Sequence, residues 1–333
     1  MRAVVCQSFG DPSATSVQEI ASPALSAGCV RVQVHVAGVS FANLLVLKGT
    51  HQNRAEPPFT PGTEVAGVVL ECAANVTHVK VGDRVAAGVR SGGFADEVIV
   101  PERTVYRLPA QVSFLQAVHF PTIYATAYAA FAWRAHLQPG ETVLVFGAAG
   151  GSGLAAIEVA RCLGARVLAV AGTDEKLDAA GRHGAQVMID RRAGPVSQAV
   201  LAATAGRGAD VIFDPVGGEA FREAMRCIAP DGRIIPMGFA SGDIPSVPAN
   251  IALVKNITVI GLYWGHYVGW GRVPPVPGTD LKVRAAFDDM FGWCAQGRLN
   301  PETWRTWPLD GFREALNAIA SREVIGRVAL TLR

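Results

Sequence analysis

Polar and apolar residues alternate along Val30-Arg-Val-Gln-Val-His-Val36, the period-two pattern of a half-buried strand. Val65-Ala-Gly-Val-Val-Leu70 and Val98-Ile-Val100 add short strands between glycine and proline signals. The chain up to about Pro109 therefore reads as a β-rich, partly barrel-like domain. From about Pro121 the pattern changes. Apolar runs near Val143 to Phe146, Val167 to Val170, Val187 to Ile189, Val211 to Phe213, Arg233 to Pro236 and Thr258 to Ile260 alternate with helical segments. That succession predicts an α/β fold with a doubly wound parallel sheet. Pro195 is placed in a first helical turn, and Gly184, Gly206 and Gly232 punctuate the units. After Trp264 come a Pro/Gly-rich loop from Gly269 to Gly278, helices at Leu281 to Gln296 and Gly311 to Ser321, and a closing strand, Arg327 to Thr331.

The junction at Val143-Leu-Val-Phe-Gly147-Ala-Ala-Gly150-Gly151-Ser-Gly153-Leu154 carries the chemistry. A buried strand breaks into close-set glycines, which let the backbone turn tightly and approach a pyrophosphate. Leu154, Ile157, Ala160 and Leu163 then recur every third residue along one side of a helix that Gly164 is placed to end. Amides at that helix start favour negative charge, so Ala149, Gly150, Gly151, Ser152 and Gly153 are candidate phosphate contacts. The glycines alone are equally those of a tight turn without a ligand; the flanking strand and helix favour a dinucleotide.

The second strand of this unit ends in Ala171-Gly172-Thr173, where a site selective for NAD usually offers a carboxylate to the ribose 2′-hydroxyl. Thr173 is a hydrogen-bond donor there and Lys176 a cation for a 2′-phosphate, which favours NADP. Asp174 and Glu175 stand at a helix start and complement its dipole.

The length of 333 residues fits two domains at about 150 each. A hydrophobic content of 50% supplies two cores, and a net charge of +2 without a long basic run gives no case for nucleic acid or an anionic membrane surface. The six cysteines form no CxxC pair and read as reduced thiols. The N-terminus starts as a strand, without the apolar core of a secretion signal, so a cytoplasmic location is expected. The tract Leu115 to Trp133 contains His119, Pro121, Thr122 and Thr126 and reads as a buried helix, not a membrane span.

Over essentially its whole length the chain resembles the zinc-independent quinone oxidoreductases, the zeta-crystallin-like family of the medium-chain dehydrogenase/reductase superfamily. The resemblance rests on Ala37-Gly-Val-Ser-Phe-Ala-Asn-Leu44, Pro61-Gly-Thr-Glu-Val-Ala-Gly67, Val81-Gly-Asp-Arg-Val85, Gly92-Gly-Phe-Ala-Asp-Glu97, Ala148-Ala-Gly-Gly-Ser-Gly153, Asp214-Pro-Val-Gly-Gly218, Gly261-Leu-Tyr-Trp-Gly265 and Ile325-Gly-Arg-Val-Ala-Leu330. It implies a Rossmann sheet, residues 121–264, inserted into a GroES-like catalytic domain, residues 1–120 and 265–333, with the active site between them. It also implies that an NADPH 2′-phosphate meets Lys176, Arg191, which replaces the family's usual tyrosine, and Arg322. Thr126 matches a cofactor-contacting threonine, while Gly238-Phe239 and Leu262-Tyr-Trp264 match backbone around the nicotinamide. A homodimer joined along the edge strand near Thr258 to Leu262 is implied as well.

Relatives with alcohol dehydrogenase activity carry a catalytic zinc in that cleft. Here Ser40 and Thr63 stand where a cysteine and a histidine would bind it, and the four-cysteine structural lobe is missing between Ala86 and Phe94. His35, His51, His119 and His136 show no ligand spacing, and Glu64 reads as a hydrogen-bonded structural residue. The expectation is a metal-free enzyme that passes hydride from NADPH to a quinone or an α,β-unsaturated carbonyl. Ser40, Asn43 and His51 are its candidate catalytic residues: the first two are hydrogen-bond donors or local caps, and His51 is a proton carrier or an exposed loop residue. The family's tyrosines give way to Leu45 and His51, so no catalytic tyrosine carries over. Tyr263, Trp264, Tyr267 and Trp270 are candidates for stacking on a planar acceptor, for core packing or for a dimer contact. An enoyl-thioester reductase is the alternative in the same class. In a different class stands a non-catalytic NADPH-binding structural or RNA-binding protein.

Overall fold

The alternating valines form a strand from Cys29 to Val39 in which Val30, Val32 and Val34 are wholly buried and Arg31, Gln33 and His35 half-buried between them. The computed structural model describes residues 1–51 and 55–333. It divides into two compact units: Met1–Ala125 with Trp264–Gly297 and Pro301–Arg333, and Thr126–Tyr263 with Arg298–Asn300.

The strands of the first unit begin with β1 (Arg2–Cys6), β2 (Thr15–Glu19), β3 (Cys29–Val39), β4 (Glu64–Cys72), β5 (Arg84–Gly88), β6 (Glu97–Pro101) and β7 (Val105–Arg107). The second unit holds β8 (Thr142–Val145), β9 (Arg166–Ala171), β10 (Val187–Asp190), β11 (Ala209–Asp214), β12 (Ile228–Pro236) and β13 (Thr258–Val259). The first unit is completed by β14 (Thr303–Pro308) and β15 (Arg327–Thr331).

In the first unit β1 and β2 pair antiparallel, and a larger sheet runs β14-β15-β3-β4-β5-β7, with β6 also on β3. The C-terminal strand thus lies against an N-terminal one, Val328 opposite Val39 and Thr331 opposite Val36. A core of Val30, Val32, Val34, Val65, Val85, Phe94, Val98 and Leu330 packs within it. β14 was not legible in the sequence. Its Thr-Trp-Arg-Thr-Trp-Pro run lacks an aliphatic face, and it is held by parallel pairing with β15 and by Arg305 stacked over Trp304 and Trp307.

The second unit is a parallel sheet in the order β10-β9-β8-β11-β12-β13, the arrangement anticipated from the alternating pattern. β8 and β11 are buried throughout, which explains the apolar runs Val143 to Val145 and Val211 to Phe213 within them. The order reverses between these two strands, so their C-terminal ends frame the crevice where doubly wound sheets bind ligands. Helices Gly151–Cys162, Asp174–Arg182, Val196–Ala203 and Glu219–Cys227 connect the strands. Pro195 sits one residue earlier than expected, as the cap before Val196. The tract from Leu115 to Trp133 is helical in short pieces with wide turns at Phe120–Tyr124 and Ala129–Arg134. Among the described residues no helix is long and apolar enough to cross a membrane.

Candidate cofactor and acceptor site

The ends of β8, β9 and β11 meet at the glycine turn. Gly147 adopts φ +56°, a left-handed conformation that glycine takes without strain, and the amide of Ala148 donates to Val170 O at 3.1 Å. A Cβ on Gly147 would touch Pro215 and Val216, and one on Gly153 would stand 2.3 Å from the carbonyl oxygen of Gly147. Both positions need the missing side chain so that turn, helix and the end of β11 can pack together. The helix Gly151–Cys162 has no side-chain cap at Gly150, and its leading amides have no intrahelical acceptor. Gly150 and Ser152 are exposed, Gly151 is half-buried, and Ala149 and Gly153 are buried.

Asp214 ends β11 fully buried. Its Oδ1 accepts from the amides of Val216 at 2.8 Å and Gly217 at 3.1 Å, which closes the Asp214-Pro-Val-Gly-Gly turn beside the crevice. The sequence alone assigned this motif no role. Gly238 and Phe239 follow β12 and lie on the same turn, since a Cβ on Gly217 would meet the Phe239 ring at 3.1 Å and one on Gly238 the Pro215 carbonyl at 3.3 Å.

At the end of β9, Thr173 caps the helix Asp174–Arg182 by accepting from the Lys176 amide at 3.3 Å; its hydroxyl hydrogen still has a donor role to play. Lys176 is half-buried one turn on. The amide of Arg191 donates to Ala171 O at 3.0 Å, and its guanidinium folds back over Gly172, where a Cβ would stand 2.6 Å from Nε. Arg192, which sequence reasoning passed over, pairs with Asp190 at 2.8 Å and with Asp174 at 2.6 Å. Both nearby carboxylates are thereby held by the one guanidinium, and hydrogen bonding to Arg192 holds the Asp190 carboxyl below the usual range. Thr126, in the turn Ala125–Tyr128, and Leu262, after β13, are half-buried.

The remaining candidates belong to the first unit. Ser40 precedes the helix Phe41–Leu47, and Asn43 Oδ1 accepts from Ser40 N at 2.7 Å and from Ser40 Oγ at 3.1 Å. Local capping therefore occupies one end of the Asn43 amide. The other end, Nδ2, is buried and has no partner among the described residues, in a residue only 1% exposed. His51 is half-buried just past this helix, and its amide donates to Leu45 O at 3.2 Å; Gln52 to Arg54, which follow it, lie outside the described residues. Trp264 is buried and its indole N–H donates to Pro121 O at 2.8 Å, while the Trp270 carbonyl accepts from Arg90 at 2.9 Å. Arg322 is exposed, at φ +62° after the helix Phe312–Ala320.

Glu64, 1% exposed, accepts from the Thr122 hydroxyl through Oε2, while Oε1 has no partner among the described residues. Burial, opposed by Thr122 and Arg327, raises its carboxyl to about 7. Arg327 is itself buried against Tyr124, with which it is hydrogen-bonded, and reaches the Glu302 carbonyl at 3.0 Å. His119 joins the group at Thr303 Oγ1, 3.1 Å away, and burial together with Arg327 keeps it neutral. Glu64 is thus hydrogen-bonded, as the sequence suggested, but within a buried network of ionisable groups that spacing could not reveal.

Comparison with known proteins decides what this assembly is. Residues 26–110 match the family model described as the alcohol dehydrogenase GroES-like domain, and residues 151–276 the one described as zinc-binding dehydrogenase. The chain is 39% identical to quinone oxidoreductase-like protein 2 of Rattus norvegicus over 334 residues, spanning 100% of this chain and 92% of that protein. The chain belongs to the quinone oxidoreductase family of the medium-chain dehydrogenases and reductases. Human quinone oxidoreductase, another member, is 32% identical over 90% of this chain and 97% of its own length. A probable oxidoreductase from Mycobacterium abscessus superposes with a TM-score of 0.87 at 33% identity, over 99% of this chain and 98% of that one. Escherichia coli quinone oxidoreductase in complex with NADPH shares the fold, with a TM-score of 0.89 at 24% identity over 99% and 100% of the two chains. Membership of the quinone oxidoreductase family makes the protein an NAD(P)-dependent oxidoreductase with a Rossmann sheet and a GroES-like β domain. The uncapped helix start and the glycines that leave no room for a side chain fit a dinucleotide. Among the described residues no group of three or more His, Cys, Asp or Glu side chains is arranged to hold a metal ion.

Proposed function

We propose that the enzyme is an NADPH-dependent, zinc-independent reductase of quinones and α,β-unsaturated carbonyls. The observation that carries the cofactor choice is the Arg191 guanidinium folded over Gly172 at the end of β9, with both neighbouring carboxylates tied to Arg192. A guanidinium there favours a 2′-phosphate, which it binds through two hydrogen bonds, over a bare ribose hydroxyl. Lys176 and Arg322 supply further positive charge in this reading, and Thr173 a hydroxyl donor. Amides of Ala149 to Gly153 hold the pyrophosphate, and Thr126, Gly238, Phe239, Leu262 and Trp264 position the nicotinamide.

When bound, NADPH supplies the hydride. The chain orients an acceptor that is already electrophilic and meets the charge developing on its oxygen. The unpartnered Nδ2 of Asn43 is the donor best suited to that oxygen, because a buried amide without a partner gains most from acquiring one. Ser40 and His51 are the candidates to relay the proton. Ser40 and Thr63 in place of metal-binding cysteine and histidine support chemistry without zinc, and the names of the rat and human relatives support a quinone acceptor. We also place the enzyme in the cytoplasm as a homodimer. Leu253 and Val254, each 78% exposed, belong to the helix Ala249–Lys255 that precedes the edge strand β13 and support pairing with a second copy.

Titrating the protein with NADPH and NADH tests the cofactor reading. NADPH binds more tightly, and Lys176→Ala, Arg191→Ala and Arg322→Ala each erode the preference; equal affinities in the parent protein contradict it.

A further inference from the structure

A polar cavity of about 580 Å³ opens in the first unit and is lined by none of the candidate residues above. Its walls come from β7, from the segments flanking β5 and from the helix Thr279–Ala295. Arg107 and Arg284 line it, and neither guanidinium makes a hydrogen bond or ion pair among the described residues. Arg284 is half-buried, and its Nε is buried without a partner among the described residues. Asp288 follows it by four residues on the same helix, the spacing of a helical ion pair, yet lies beyond pairing distance.

Tyr106, only 3% exposed, also lines the cavity and is stacked on Phe287 with ring centroids 3.4 Å apart. Its hydroxyl is buried and has no partner among the described residues, a costly arrangement for a polar atom. His78 completes the polar lining. Burial first, then the charges of Arg284 and Arg107, pull its imidazole below the usual range, so both guanidiniums act on the same small space. Arg84 contributes little, since its donors are taken by the carbonyls of Pro109, Ala110 and Val112. Asp83 accepts from the Lys80 amide at the rim. Phe287, Phe291 and Leu108 give the cavity an apolar floor.

We propose that this cavity binds a small phosphate monoester, with Arg107 and Arg284 on the phosphate, the Tyr106 hydroxyl donating to one of its oxygens, and the aromatic floor against its carbon portion. Two guanidiniums and a hydroxyl provide more donors than a carboxylate has lone pairs to accept, which favours the three terminal oxygens of a phosphate. The site goes beyond the reductase reading, because the residues assigned to the nucleotide turn and its phosphate lie in other elements of the chain.

Calorimetric titration with phenyl phosphate, on protein saturated with NADPH, tests it. Binding of one equivalent is expected, weakened about tenfold or more in Arg107→Ala and in Arg284→Gln and severalfold in Tyr106→Phe. Arg107 is exposed, so its replacement leaves the core intact, and quinone-dependent NADPH oxidation stays at the parent rate in that variant. No binding, unchanged affinity in Arg107→Ala, or benzoate binding as tightly as phenyl phosphate would overturn the proposal.

Discussion

The Arg191 guanidinium occupies the space that a side chain on Gly172 would fill, 2.6 Å from the position of its Cβ. The glycine and the arginine therefore act as one feature, since the first makes room for the second at the end of β9. Gly172→Val should displace the guanidinium and lower NADPH affinity about tenfold with little effect on NADH. Because the crowded atoms end a flexible side chain, the change should cost the fold about 1 kcal/mol or less. Fluorescence titration with both nucleotides and a thermal melt check the two halves of this expectation.

Arg192 restrains Asp174 and Asp190, so Arg192→Ala should return two carboxylates to the surroundings of Arg191. The ratio of NADPH to NADH affinity is expected to fall severalfold, and the fall should shrink as salt is added because the groups are exposed. An unchanged ratio would show that these carboxylates do not sense the cofactor.

Gly153 faces backbone rather than a movable side chain: a Cβ there would stand 2.3 Å from Gly147 O and 2.7 Å from Ala148 Cα. Gly153→Ala should destabilise the protein by about 1–3 kcal/mol and weaken both nucleotides alike, because the turn itself must shift. Denaturant unfolding with and without nucleotide measures both effects.

The Glu64 carboxyl, raised to about 7 by burial, sets a pH signature. Its folded-state value lies above the unfolded value of 4.5, so the folded protein holds the proton more tightly between the two. Stability contributed by the protonated form is complete below that lower value and is lost as pH rises toward 7. Relative to Glu64→Gln, the parent should lose on the order of 3 kcal/mol across this window. Urea unfolding of both proteins at pH 5 and pH 8 tests this; parallel profiles contradict it.

Asn43 divides its amide between two tasks. Asn43→Ala removes the acceptor for Ser40 and should cost about 0.5–2 kcal/mol of stability as a lost helix cap. Asn43→Asp retains an acceptor for the Ser40 amide but not the Nδ2 donor, so turnover should fall more than the melting temperature. Equal turnover in Asn43→Asp and the parent would remove Asn43 from the acceptor reading.

Much of the second unit was legible in the chain because buried parallel strands are continuous apolar runs and the turns between them need glycine. β3 was equally plain, since one face is buried and the other is not. β14 was not, because its stability comes from β15, distant in sequence, and from Arg305 lying over two tryptophan rings. The same limit applied to the site. Lys176 and Thr173 follow a strand end directly, whereas the contact between Arg191 and Gly172 depends on β9 and β10 lying side by side. The network of Glu64, Thr122, Arg327 and His119 draws on three separated segments, and the buried pair His183 and Glu158, 2.6 Å apart, on two more. No periodicity connects such residues.

The central claim is tested most directly by steady-state oxidation of NADPH and NADH with 1,4-benzoquinone, 9,10-phenanthrenequinone and simple enones, on protein treated with a chelator. Turnover should proceed with at least one of these acceptors, should favour NADPH over NADH in kcat/KM by about tenfold or more, and should be unaffected by the chelator. Bound NADPH that reduces none of them, equal use of NADH, or activity lost to the chelator and restored by zinc would contradict the account.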